Sequence, residues 1–337
     1  MTASAALDPM ASTRQLPAHY PRHAPDRDQL RAAIEQLAAD HDWASLSWTE
    51  LIEALLGLGR TDIPLARLVE GHADAIRTAE QASVAVREDA LYGVWASRSG
   101  ATGLRAEVDG DKLILTGVLK FASGAGIIDR ALVPVSVGDE HQLLVDLAVD
   151  GLPVDQTGWQ TSAMTVSHTH TVPVAGVRVA MADVIGDEDF YLDRPGFFPG
   201  GIGVAAVWAG GISRVLDTLL TWLGGHSSPA TDVRLGRLST YRQLATASVR
   251  EAGRRLDAVL VGSGSPPRAD LQELATVVRA GVAHCVHAAL DEARTIAGPA
   301  GLASDAALTH AIADLDLYVR QHHADADAAF LGTRLRA

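Results

Sequence analysis

The chain has 337 residues, 47% of them hydrophobic, with 41 acidic against 28 basic residues and a formal net charge of −13. That length fits one large domain or two to three packed subdomains, and the acidic balance argues against a nucleic-acid partner, which needs a Lys/Arg-rich surface. A single cysteine, Cys285, excludes an intrachain disulfide and a Cys-rich metal site, and it fits a reducing, cytoplasmic setting.

Residues 1–27 carry four prolines and no continuous apolar run, so they read as a mobile tail rather than a secretory signal. Residues 28–90 read as a short N-terminal helical domain. In it, Leu30, Ile34 and Leu37 share one helix face. Ser47 and Glu50 form a capping box ahead of Leu51, Ile52, Leu55 and Leu56, with Gly57 or Gly59 as a stop. Pro64 sits in the first turn of a third helix.

The hydrophobic period changes over 91–190, where Asp109-Gly110 and Gly138-Asp139 mark turns between extended runs. These runs predict a middle antiparallel β domain. From 196 to the end the period returns to that of helices, over 202–223, 230–262, 268–298 and 304–332. The stretches "GGHSSPATD", "GSGSPP" and "GPAGLASD" separate them, which predicts a C-terminal four-helix bundle. The uncharged run Gly196–Ser213 nearly has the length of a membrane span, but its six glycines and Pro199 favour the start of a buried helix. No Gly-x-Gly-x-x-Gly opens a helix after a strand, so a dinucleotide-binding fold is not expected.

An α+β chain in the order helical domain, β domain, four-helix bundle resembles the acyl-CoA dehydrogenase superfamily. The motifs that carry the likeness span roughly 30–337. "LTGVLKFASGAG" resembles the strand ending in the family's W-I-T-N-G-like motif. By that match Phe121 borders the flavin ring, Ala122 follows it, and Ser123 bonds near flavin N5. "YGVWASRSGATG" resembles the Y-x-V-T-E-P-x-x-G-S segment, which puts Tyr92, Val94 and Trp95 along the flavin pyrimidine. "SHTHTVPVAGV" resembles S-x-T-x-x-V-x-F-x-x-V, matching Ser167, Thr169 and Val177. The last helices, with "YVRQHHADAD", resemble the family's C-terminal segment. The resemblance implies FAD (FMN possible) bound between the β domain and the bundle, a homodimer or homotetramer, and a small-molecule substrate such as a CoA thioester. By the same resemblance one of Arg234, Arg237 and Arg242, near the start of the second bundle helix, would reach the flavin pyrophosphate of a partner subunit, Arg234 being the first choice.

The departures are equally specific. The family's catalytic glutamate aligns with 320–323, where this chain has His322, and no glutamate follows Glu292. The T-E-P triplet is Trp95-Ala96-Ser97, and the R-x-Q-F-G motif of the bundle reads "DVRLG". "FASG" is closer to the flavin monooxygenase branch, and the resemblance to that branch implies a histidine near 320–323 that assists oxygen chemistry at the flavin. A histidine suits proton transfer near neutrality because its ordinary pKa is about 6.5. The leading expectation is an oxidoreductase that moves hydride from an acyl thioester or related small substrate to flavin N5, with His322 as the acid–base residue. One alternative is a flavin-dependent monooxygenase using reduced flavin and O2. Another is a non-catalytic subunit of a hetero-oligomer. A metal held by "HTH" at 168–170 together with His322 and Asp325 is a weaker reading, because the flavin resemblance already accounts for that stretch.

Overall fold

The computed structural model describes residues 11–336 apart from 19, 23, 99, 101, 139–140 and 261–265. The predicted turn at Gly138-Asp139 and most of "GSGSPP" therefore lie outside the described residues. Helices α1 (Arg27–Ala38), α2 (Trp48–Thr61) and α3 (Ile63–Gln81) open the chain. Capping boxes start α1 at Asp26 with Gln29 and α2 at Ser47 with Glu50. Each satisfies backbone donors that a helix start leaves open. Asp62 ends α2 and caps α3, its carboxylate accepting from Leu65 N, with Pro64 in the first turn.

The proline-rich segment expected as a mobile tail is instead docked from residue 11 onward. Ala11 O accepts from Arg60, Arg14 N donates to Thr61 Oγ1 at 2.6 Å, and Gln15 O accepts from Gln36. Two main-chain carbonyls and one amide of this segment are thus held by α1 and α2.

Among the described residues seven strands form one sheet: β1 (Tyr92–Val94), β2 (Gly103–Asp109), β3 (Lys112–Ala122), β4 (Arg130–Val137), β5 (His141–Ala148), β6 (His170–Ala180) and β7 (Val184–Ile185). The order is β6-β3-β2-β4-β5-β7, with β1 also on β4. The expectation of a purely antiparallel sheet is corrected: β1 and β2 both run parallel to β4, in the registers Tyr92↔Arg130 and Leu104↔Val135. The cause is the segment 123–129. It carries the chain past the end of β2, so that β4 returns antiparallel to β3 and hence parallel to β2. The "FASG" motif sits on this crossing.

The rest is helical: α4 (Phe190–Asp193), α5 (Phe197–Leu223), α6 (Pro229–Leu260), α7 (Arg268–Ser304), α8 (Ala306–Val319) and α9 (Ala324–Arg334). The helix predicted over 304–332 is divided at 320–323 into α8 and α9, and α7 bends at Gly298 (φ 57°) just before Pro299. The long apolar α5 meets the length and hydropathy of a membrane span, but 83% of its most apolar window is buried within the fold. It crosses α2 at backbone contact. A Cβ on Gly59 would lie 2.3 Å from Val207 O, and one on Gly210 would lie 2.3 Å from Leu56 O. Around that crossing Leu55, Leu56, Ile202 and Ile212 are essentially dry, each contributing about 1.5–3 kcal/mol by burial. One continuous core joins the helical layers to the face of the sheet that carries Leu113, Leu115 and Ala131. A smaller core lies on the other face, around Tyr92, Leu132, Leu144 and Ile185.

Candidate functional site

The last residue but one of β3 is Phe121, held at φ +57° and 52% exposed. A bulky residue in the left-handed region costs about 1–2 kcal/mol, so the surrounding structure imposes it. The pairing of β3 with β6 slips between Leu119 and Ala122 and resumes at Ala122↔His170. That irregularity turns Phe121 out and Ala122 in, to full burial.

Ser123 follows, and its Oγ is 2.9 Å from Thr169 Oγ1. Thr169 Oγ1 is 2.7 Å from Ser167 Oγ, which donates to Met164 O at 2.7 Å. The turn is also tied through its main chain, Gly124 N to Ser167 O at 2.9 Å and Ala125 N to His168 O at 3.1 Å. Asp314 on α8 accepts from Met164 N at 2.5 Å. Burial, helped by the nearby charge of Asp62, raises the Asp314 carboxyl to about 7.

The structure separates the three β1-segment residues expected along the flavin pyrimidine. Alternation sends Tyr92 and Val94 to the smaller core, where Tyr92 Oη donates to Asp146 at 3.1 Å. Trp95 lies on the other face, buried, and its Nε1 donates to Ser123 O at 2.8 Å. Only Trp95 of the three therefore shares the site with Ser123. Arg234 sits on α6, 2.8 Å from Glu292 of α7, and no described contact joins it to the Ser123 turn.

His322 was expected at the end of the last bundle helix; it lies instead in the link between α8 and α9. The helix break at 320–323 leaves His322 Nε2 facing Asp327 Oδ2 at 3.1 Å. The pair is close but not aligned as a hydrogen bond, and it is an ion pair only when His322 is protonated. Burial lowers the His322 pKa below the ordinary value, Asp327 opposing and Arg279 assisting. His323 is exposed at the start of α9. The rings of His168 and His170 meet edge to face at 5.6 Å. Among the described residues no group of three or more His, Cys, Asp or Glu is placed to hold a metal.

A second polar cluster escaped the sequence reading. Arg67 and Glu70 of α3 pair at 2.9 Å, with side chains 16% and 9% exposed. Asp74 accepts from Arg194 at 2.9 Å. Arg279 of α7 donates to Gly201 O and stands 5.0 Å over the Trp208 ring, which meets Tyr318 edge-on at 6.1 Å. Tyr318 Oη and Trp208 Nε1 are buried without a partner. Burial raises Glu70 to about 7, the charge of Asp74 adding and Arg67 opposing. The cluster adjoins the Ser123 turn, since Leu68 packs at Gly124 and Arg67 lies against Gly71 beside Gly93. One signal was available: "IPLARLVEGHADAI" places Arg67, Glu70, Gly71 and Asp74 at spacings of three and four along a helix that is otherwise largely apolar.

No family model and no curated protein matches the sequence. Solved structures do match. TdsC from Paenibacillus sp. A11-2, a dibenzothiophene monooxygenase solved with FMN and indole, superposes with TM-score 0.77 at 18% identity, over 91% of this chain and 88% of that one. XiaF from Streptomyces sp., solved with FADH2 and glycerol, gives 0.76 at 19%, over 93% and 88%. MsuC from Pseudomonas fluorescens, a methanesulfinate monooxygenase, gives 0.75 at 14%, over 91% and 88%. The chain therefore shares the fold of these structures, the acyl-CoA dehydrogenase-like α+β fold.

Proposed function

We propose that the protein is a flavin-dependent monooxygenase that takes reduced flavin, FMN or FAD, and O2. The observation that carries this reading is the end of β3: an aromatic ring held exposed at positive φ beside a buried serine hydroxyl. That pairing fits a flavin, with the Phe121 ring to be covered by the isoalloxazine and Ser123 to meet its polar edge. Trp95 backs Ser123 from within. Reduced flavin, when bound, supplies the two electrons that split O2, one oxygen atom entering the substrate and the other leaving as water. A separate reductase would provide it.

Two observations favour this over hydride transfer from an acyl thioester. The link between α8 and α9 carries His322 and no carboxylate, and the nearest acid, Asp327, is engaged with His322. The fold neighbours bound to flavin also include a named monooxygenase. His322, whose pKa burial lowers from the ordinary value, is the candidate to accept or return a proton. The substrate would be a small molecule received on the side of Arg67, Arg279 and Tyr318. Exposed Val233 and Leu244 on α6 and Val277 on α7 fit a homodimer or homotetramer packed through the bundle, with Arg234 offered to the partner's flavin. A cytoplasmic enzyme is consistent with its lone, buried cysteine.

The test is an anaerobic titration of the purified protein with FMN and FAD, each oxidised and dithionite-reduced. Air is then admitted with candidate acceptors present. Saturable binding and an oxygenated product that retains label from 18O2 are expected. Failure to bind either flavin in either redox state would overturn the proposal. Bleaching of bound oxidised flavin by an acyl-CoA would instead restore the dehydrogenase reading.

A further inference from the structure

We infer that Thr169 and Ser167 fix the direction of the Ser123 hydroxyl proton, and through it make the site prefer reduced over oxidised flavin. This rests on the flavin reading above. Proton counting along the hydroxyl chain leads to it. Met164 O is a carbonyl and can only accept, so the one proton of Ser167 is committed to it at 2.7 Å. Ser167 then has only lone pairs for Thr169 at 2.7 Å, and Thr169 must donate. The Thr169 proton is thereby used, so Ser123 must donate to Thr169 at 2.9 Å. Ser123 Oγ is left with lone pairs alone for any outside partner.

Burial keeps this order. Ser167 is 0% exposed and Ser123 and Thr169 are 8% each, so little water reaches the chain to supply a competing donor. The fixed end is itself anchored, because Met164 N is held by Asp314 across on α8. The main-chain oxygen of Ser123 is occupied by Trp95, which restrains the residue that carries the hydroxyl.

Reduced flavin carries a hydrogen on N5 and can donate there; oxidised flavin offers only a lone pair. A hydroxyl confined to accepting pairs with the first and opposes the second. One such matched contact, against an unmatched one, changes a dissociation constant about tenfold. Thr169 and Ser167 are thus positioning residues that act through Ser123.

The test is the ratio of dissociation constants for oxidised and dithionite-reduced FMN, measured anaerobically by fluorescence or absorbance. Wild type should favour reduced FMN by about tenfold from this contact. Thr169→Val removes the inner acceptor and frees Ser123 to donate outward, so the ratio should fall to near unity. Thr169→Ser should restore it. Ser167→Ala reaches the same end differently: Thr169 then has only Ser123 to donate to, which turns the Ser123 proton outward. This variant decides the matter if Thr169→Val does not fold.

A chain that merely staples β6 to the turn would weaken both redox states together. An unchanged ratio in the folded variants overturns the inference and leaves the flavin function standing. Wild type that binds neither state overturns the function, and the inference with it.

Discussion

The two polar clusters beside the "FASG" turn are built on opposite rules. Around Ser123 the groups are neutral hydroxyls, and every proton in the chain from Ser123 to Met164 O has an acceptor. Around Glu70 the groups are charged, one carboxyl is raised to about 7, and Tyr318 Oη and Trp208 Nε1 have no partner. A satisfied neutral chain stores direction, because reversing it requires every member to turn. A crowded, incompletely paired charged cluster stores response: it titrates, and it has polar atoms left for a ligand. The hydroxyl chain thus suits orientation of a cofactor, and the charged cluster suits reception of a polar substrate.

The contrast breaks most sharply at Arg67. Removing one member of a buried pair strands the other, at a cost of about 3–5 kcal/mol. Arg67→Ala should lose that much in urea unfolding because Glu70 remains, while Arg67→Ala/Glu70→Gln should recover most of it. If the two variants are equally stable, Glu70 is not confined by Arg67 and the cluster is looser than its geometry.

Much of this architecture was legible in the sequence. The 3.6 period and the capping residues Ser47 and Glu50 located the helical regions, because helix periodicity and caps are local properties. The mixed sheet was not legible: strand direction depends on how 123–129 crosses β2, a non-local matter. Ser123 and Phe121 are singled out by a motif, whereas the hydroxyl partner of Ser123 comes from the turn just before β6, 46 residues away, and depends on tertiary pairing. His322 is singled out by the resemblance, but its place in a link is not, since the helical period over 304–332 reads as continuous. Tyr92 and Val94 were grouped with Trp95 by motif, and strand alternation divides them. Glu70 was passed over because a carboxylate in a helix reads as a solvated face until a fold surrounds it.

His322 belongs to the charged side through Asp327 and Arg279, yet its proposed work is on the flavin side. His322→Ala should reduce turnover about 100-fold, at the lower end of general acid–base contributions, with the dissociation constant for reduced FMN unchanged. Loss of flavin binding in this variant would place His322 in the cofactor cradle instead. Unchanged turnover would remove it from the reaction.

Titration of Glu70 gives a smaller effect with a definite sign. Its carboxyl moves from the ordinary 4.5 to about 7 in the folded protein. Between those values the folded state holds a proton that the unfolded state has released. The stability from Glu70 is fully present below about pH 4.5 and is lost as pH rises through about 7. Asp314, raised to about 7, acts in the same direction. His72 opposes both: burial lowers it to about 4, so its contribution is present above pH 6.5 and lost as pH falls toward 4. The lowered histidines His41, His168, His170, His287 and His322 run with His72, so urea melts at pH 5, 6 and 7 are compared between wild type and Glu70→Gln to isolate the carboxyl. Glu70→Gln should remove one proton from the slope, about 1.4 kcal/mol per pH unit where the difference is complete. An unaltered slope would mean that Glu70 is ionised throughout.

The smallest effect separates a stranded hydroxyl from a waiting one. Tyr318 is 2% exposed, and its Oη has no partner. Deleting a buried polar group that bonds to nothing removes only its desolvation cost, so Tyr318→Phe should leave stability within about 0.5 kcal/mol of wild type or raise it slightly. The ring and its edge-on contact with Trp208 remain. If the hydroxyl is there for a substrate, the same variant should raise KM with little change in kcat, because the contact exists with substrate bound and is absent without it. A stability loss of a full hydrogen bond would show that Tyr318 Oη is already satisfied within the fold. The charged cluster would then be as closed as the hydroxyl chain, and the contrast between them would disappear.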